Sequence, residues 1–198
     1  MGEKCVTEDS KQTDTKEKEE HMCSTGETPT LQELEEILHS APRSCHHVDE
    51  VWPINIFYSC FRFMSHDKFG LWQMGITHVL NASHGKLCCK GTDDFYGTTV
   101  KYYGVPANDL PTFDLSPFFH PAAEFIHLAL SSGGNIFVHC AVGVSRSATL
   151  VLAYLMIHHG FSLRSSIRCV QQKRWIFPNR GFLRQLVDLD YYKAYQLL

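Results

Sequence analysis

The sequence predicts one α/β domain, a central, mainly parallel twisted sheet flanked by helices, and three observations carry that expectation. From residue 51 onward, short apolar runs alternate with helix-period patterns, as in strands joined by helical crossovers. The run ending at Val138 passes through a tight turn straight into an apolar helix, which places a ligand site at the carboxyl ends of the strands. A chain of 198 residues, 44% of them apolar, fits one core plus a tail and is too short for two ordinary domains.

Residues 1–29 hold eight acidic side chains, four lysines and one aliphatic residue, Val6. With so little apolar surface they cannot offset the entropy of ordering, so a disordered tail is expected there and a folded domain over 30–198. Thr30-x-x-Glu33 forms a capping box ahead of Leu31, Leu34, Ile37 and Leu38, which predicts a first helix. Strands are expected over 76–81, 100–105 and 136–138, the last behind the turn signal Ser131-Ser132-Gly133-Gly134. Between them, 115–130 reads as a helix with Asp114 as N-cap, Pro117 in its first turn and Phe118, Ala122, Phe125, Ile126 and Ala129 as its apolar stripe. Two more helices follow, one capped by Ser162 with Leu163, Ile167 and Val170 inward, the other by Asn179 with Phe182, Leu186 and Leu189 inward.

At the strand end near Val138 stands His139-Cys140-Ala141-Val142-Gly143-Val144-Ser145-Arg146-Ser147, leading into an apolar helix over 148–157. The five residues from Ala141 to Ser145 make a loop short enough to wrap one anion. Gly143 is free to adopt the positive φ that turns successive backbone N–H groups inward. The helix that follows directs its positive end at the same spot, which favours both a bound phosphate and a thiolate at Cys140. Arg146 can grip two phosphoryl oxygens with its planar fork, a task lysine performs poorly. Ser147 can donate a hydrogen bond to the sulfur and make it a better leaving group. His139 reads as a buried orienter of the loop rather than a base. From the chain's own composition, His-Cys-x5-Arg-Ser/Thr arises by chance on the order of 0.002 times, so coincidence is a poor explanation.

Phosphoryl transfer to a thiolate also needs an acid for the leaving oxygen, supplied by another loop. Asp109, in Pro106-Ala107-Asn108-Asp109-Leu110-Pro111 directly after a predicted strand, is the candidate. The competing reading gives it only an Asx turn before Leu110-Pro111.

Composition narrows the remaining functions. The eight cysteines, at positions 5, 23, 45, 60, 88, 89, 140 and 169, show no pairing pattern and no C-x-x-C, so free thiols are expected. Neither they nor the twelve histidines fall at metal-ligand spacings, and no metal or other cofactor is expected. A net charge of −3 offers no basic field for nucleic acid, and no apolar run approaches the ~18 residues of a membrane span. Residues 1–10 carry Glu3, Lys4, Glu8 and Asp9 and no apolar block, so the expected address is cytoplasmic, with the nucleus second. A neutral loop of Ala141, Val142 and Val144 suits a phosphorylated side chain better than a polyphosphate, which would call for lysines. A thiol-redox enzyme would want a resolving cysteine near Cys140. A phosphoprotein-binding scaffold with weak turnover is the main alternative, and it would need neither thiolate nor acid.

The nucleophile loop, Ala107-Asn108-Asp109, Gly75-Ile-Thr-His-Val-Leu-Asn-Ala82 and Pro178-Asn-Arg-Gly-Phe-Leu-Arg-Gln-Leu186 together resemble the atypical dual-specificity protein phosphatases over about residues 31–190. Within that group, Asp49-Glu-Val-Trp-Pro53, Arg174-Trp-Ile-Phe-Pro178 and Leu87-Cys-Cys89 look like those of a muscle-type member. The resemblance implies a cysteine-phosphatase fold and activity on phosphotyrosine and phosphoserine/phosphothreonine without metal. Its expected partners are phosphorylated proteins, kinases of signalling pathways among them. It also implies Cys140, Arg146 and Asp109 as nucleophile, phosphate clamp and general acid, with Asn179 bracing the loop. One segment departs from the pattern. Residues 54–65 lack the glycine turn usual in the group, run about two residues longer and are mostly apolar, which would make them an aggregation risk if exposed.

Overall fold

The computed structural model describes residues 28–40, 49–51, 56–58, 64–85 and 93–196. In chain order its elements are α1 (Leu31–Ser40), β1 (Asp49–Val51), β2 (Ile56–Tyr58), α2 (Lys68–Gln73), β3 (Ile76–Asn81), α3 (Asp93–Tyr96), β4 (Lys101–Gly104), α4 (Phe119–Ser131), β5 (Asn135–His139), α5 (Arg146–His159), α6 (Leu163–Gln171) and α7 (Arg180–Gln196), with single 3-10 turns at Met64–His66 and Ser116–Phe118. The tail reading falls outside the described residues apart from Thr28 and Pro29. So do Leu87-Cys88-Cys89, Trp52-Pro53 and the unusual segment, except for β2 and the turn beginning at Met64.

Among the described residues, five strands form one sheet in the order β1-β2-β5-β3-β4. The pairs β2–β5, β5–β3 and β3–β4 are parallel, and β1 closes one edge antiparallel to β2, so the sheet is mainly parallel as expected. Because β3, β4 and β5 run the same way, their carboxyl ends emerge together. Backbone bonds tie those ends across the sheet, from Ala82 N to His139 O at 2.7 Å and from Val105 N to Asn81 O at 2.9 Å.

The helices divide unevenly over the two faces. One face carries the main core, in which Leu34 and Leu38 of α1, Ala122, Ile126 and Ala129 of α4, the length of α5, Ile167 of α6 and Leu186 of α7 meet Leu80, Ile136 and Val138. The other face carries a smaller cluster of Leu71, Ile76, Val79, Tyr96 and Phe137. In α5, every residue from Arg146 to Met156 is buried, so it is the central helix with no solvent face over those positions. It ends at Gly160, whose φ of 70° is the left-handed geometry of a helix stop.

The caps show how local chemistry sets these boundaries. At α1, Thr30 N donates to Glu33 Oε2 at 2.9 Å and Glu33 N donates to Thr30 Oγ1 at 3.3 Å, both halves of the capping box. Ser162 accepts from Ser165 N at the start of α6. The helix expected over 115–130 is instead a 3-10 turn followed by α4. Asp114 caps only that turn, accepting from Ser116 N at 3.1 Å and Ser116 Oγ at 2.6 Å. A single carboxylate oxygen that takes up both Ser116 donors satisfies the tight turn rather than the first turn of an α-helix, which begins five residues after Asp114.

Candidate active site

Cys140 follows β5 and is 1% exposed, at the foot of the loop that rises to Arg146. Gly143 adopts a φ of 79°, and that backbone turn aims its N–H at the sulfur, 3.1 Å away. Ser147, in the first turn of α5, donates its hydroxyl to the same sulfur at 3.3 Å. Two donors converge on Sγ beneath the N-terminus of a helix, an arrangement that favours negative charge at that atom.

The rim of the loop is neutral. Val142 is 59% exposed, Ala141 and Val144 are half-buried, and the loop's one cation, Arg146, lies folded inward and buried. Of the five donors a guanidinium offers, one Nη1–H goes to Ala107 O at 3.3 Å, on the loop after β4. Nε stands 3.6 Å from Asp109 Oδ2, an ion pair beyond hydrogen-bond length.

Asp109 is therefore brought to the cysteine loop, as its position after a strand predicts. Its contacts, however, are not those of an Asx turn. Oδ1 accepts from Ser145 Oγ at 2.7 Å and from Asn179 Nδ2 at 2.9 Å, two long-range donors. Asn179 N donates in turn to Ser145 Oγ at 3.2 Å, so Ser145, Asp109 and Asn179 close a triangle joining three separate segments. Phe177 N adds a bond to Val144 O at 2.9 Å, tying the segment before α7 to the loop a second time.

His139 lies beneath, 1% exposed and stacked on Phe137 with ring centroids 5.2 Å apart. Burial pushes its imidazole down to about 4, against a smaller opposing contribution from the Cys140 backbone, so it is neutral near pH 7. Asp114, the other carboxylate near the acid loop, is occupied with Ser116. Among the described residues no group of three or more His, Cys, Asp or Glu is placed to hold a metal ion.

Three contributions escaped the sequence. Ser145 has a side chain that works outside the loop, Ala107 contributes only a carbonyl, and Gly181 permits a close approach. A Cβ at Gly181 would overlap the carbonyl oxygen of Pro111, so the loop that carries Asp109 packs directly on the α7 backbone. The pairing of Gly181 with Pro111 left no local pattern. Ser145 stands one residue before Arg146, but nothing in the motif distinguishes a linking hydroxyl from a loop filler.

Comparison with known proteins agrees with this geometry. The family model described as "Dual specificity phosphatase, catalytic domain" matches residues 62–191. Dual specificity protein phosphatase 26 of Rattus norvegicus is 54% identical over 160 residues, covering 80% of this chain and 74% of its own. The Homo sapiens protein of that name is 51% identical over 173 residues, 83% and 80% of the two chains. Among solved structures, human DUSP28 aligns with a TM-score of 0.65 at 29% identity, over 79% of this chain and 99% of its own. A mouse putative dual specificity phosphatase complexed with zinc tungstate gives 0.66 at 29%, over 80% and 93%. The finer likeness of residues 49–53, 87–89 and 174–178 to the muscle-type isoform A of dual specificity protein phosphatase 13 is corrected by these matches, since the relatives at 51–54% identity bear the name of phosphatase 26. Those three segments total only 13 residues, too few to outweigh identity spread over 160 or more. With a family model across 62–191 and half the aligned residues shared with relatives of that name, the chain belongs to the dual specificity phosphatase family.

Proposed function

We propose that this chain hydrolyses phosphotyrosine and phosphoserine/phosphothreonine in proteins through a phosphocysteine at Cys140. The convergence of Gly143 N–H and Ser147 Oγ–H on a buried sulfur, with Arg146 and Asp109 joined above it, carries the reading. Cys140 Sγ attacks phosphorus; the S–P bond forms as the ester P–O bond breaks, and the departing oxygen takes a proton from Asp109. Water then attacks the phosphocysteine and gives a proton back to Asp109. The S–P bond breaks, inorganic phosphate leaves, and the hydrogen bond from Ser147 stabilises the returning thiolate. Throughout, Arg146 and the inward N–H groups hold the charge of the transferring group.

The test is turnover of an aryl phosphate by the wild type beside Cys140→Ser and Arg146→Lys, with phosphopeptide binding measured in parallel. Loss of turnover in both, with binding kept in Cys140→Ser, is expected; near-wild-type turnover in Cys140→Ser sinks the assignment. One solved neighbour, at 29% identity and TM-score 0.65, is named a human tyrosine phosphatase-like serine/threonine/tyrosine-interacting protein, and that name keeps phosphoprotein binding as the second reading. Binding without turnover in the wild type would favour it.

A cytoplasmic address, with the nucleus second, belongs to the same proposal; among the described residues Cys140 and Cys169 are free thiols, the state that a reducing compartment preserves. Imaging of the tagged full chain tests it. Kinases whose activation loops carry phosphate are the substrates to test first, by capture on Cys140→Ser, since such loops present phosphotyrosine and phosphothreonine in exposed chain.

A further inference from the structure

Helix α1 lies outside the stretch the family model matches, yet it reaches the segment that holds the catalytic centre. Leu34 and Leu38 are fully buried in the main core, and Glu33 bonds Arg164 of α6 at 2.9 Å. Two further contacts go to 177–180. The His39 ring packs on Phe177 with centroids 4.9 Å apart, and Phe177 is the residue whose N–H holds Val144 of the cysteine loop. Glu35 takes Arg180 in a two-pronged pair, Oε1 to Nε at 2.5 Å and Oε2 to Nη2 at 2.9 Å. Arg180 stands between Asn179, which grips Asp109, and Gly181, which seats Pro111 of the acid loop.

We propose that α1 is a positioning element of the reaction, with Glu35–Arg180 and His39–Phe177 fixing the segment through which Asn179 and Phe177 set the acid loop against the cysteine loop. The pair is bidentate, the geometry in which a partly exposed ion pair holds direction as well as charge. It draws the Glu35 carboxyl below its usual range and the Arg180 guanidinium above, the hydrogen bond between them being the largest cause for each. These contacts of α1 go to Phe177 and Arg180 and not to Asp109 itself, so its effect passes through Asn179 to Asp109. The inference rests on the reading of Asp109 as general acid.

The experiment uses the full chain with Glu35→Gln, Arg180→Gln and the exchanged pair Glu35→Arg/Arg180→Glu, beside Asp109→Asn. Each is assayed on phenyl phosphate, a poor leaving group, and on p-nitrophenyl phosphate, a good one, with melting temperature as the fold control. Each single change is expected to lower kcat on phenyl phosphate roughly two- to fivefold, as losing a modest ion pair allows, with a smaller loss on the activated ester. The exchanged pair is expected to recover most of that loss. Equal losses on both esters, or no recovery on exchange, overturn the proposal and leave Glu35–Arg180 a structural pair. If Asp109→Asn itself lacks leaving-group dependence, the acid assignment falls instead, and the two failures are thereby told apart.

Discussion

Asn179 divides its carboxamide between Asp109 and the start of α7. Its Nδ2 donates to Asp109 Oδ1 at 2.9 Å, while its Oδ1 accepts from Phe182 N at 3.0 Å. The partners fix the orientation of the amide, since a carboxylate can only accept and a backbone N–H can only donate. One side chain thus starts α7 and holds Asp109.

Asn179→Asp separates those two duties. Aspartate caps helices as well as asparagine, so melting temperature should change little. The donor to Asp109 is replaced by a like charge, and kcat is expected to fall about tenfold or more, as losing a hydrogen bond to a charged group allows. An unchanged kcat would mean that Ser145 and Arg146 suffice to hold Asp109.

Asp109→Asn is expected to cost on the order of 10²–10⁴-fold on substrates with poor leaving groups, less on activated aryl esters, and to flatten the basic limb of the pH–rate profile. Asp114→Asn is the control. Asparagine can accept the same two Ser116 bonds, so turnover should stay near wild type. A leaving-group-dependent defect in Asp114→Asn instead would move the acid to that residue.

Gly181→Ala places a methyl carbon where Pro111 O now lies, and the obstacle is backbone, which cannot swing aside as a long side chain would. Either α7 or the acid loop must shift. The expected result is a lower kcat on phenyl phosphate together with a lower melting temperature; wild-type values for both would show that the loop yields freely.

His139 makes stability pH-dependent. Its folded value, about 4, lies below the ordinary 6.5 because the ring is buried away from water. As pH falls below about 6.5 the unfolded chain gains a proton that the folded chain refuses, so stability declines from there to about pH 4 and then levels. The full gap is worth roughly 3 kcal/mol. Urea melts of wild type and His139→Asn at pH 7 and pH 5 check this, and an identical pH dependence in both would assign the acid sensitivity elsewhere.

Much of this molecule was legible because its signals are local. Strand β3 runs where a short apolar run placed it, the capping box at Thr30 and the N-caps at Ser162 and Asn179 act as read, and Gly143 has the φ its loop required. The helix after Asp114 began late because Pro117 and the Ser116 bonds favour a 3-10 turn, a competition that a periodic pattern does not register. Contacts that exist only after folding were out of reach. Glu35 and Arg180 are 145 residues apart, and Ser145 and Asp109 are 36 apart. Neither pair has a spacing that a sequence pattern could carry.

The burial of α5 decides which part of the site opens last. Backbone amides exchange with solvent only when their helix opens, and an element packed on all sides opens at a cost approaching that of global unfolding. Amides from Leu150 to Met156 should therefore be among the slowest to exchange in deuterium oxide. Those of the acid loop around Asn108–Leu110, exposed and held by a few side-chain bonds, should exchange early. Cys140 and Arg146 are thus rooted in the slowest-opening part of the domain, while Asp109 rides on a faster one, so partial denaturant or mild heating should displace Asp109 before it disturbs Cys140.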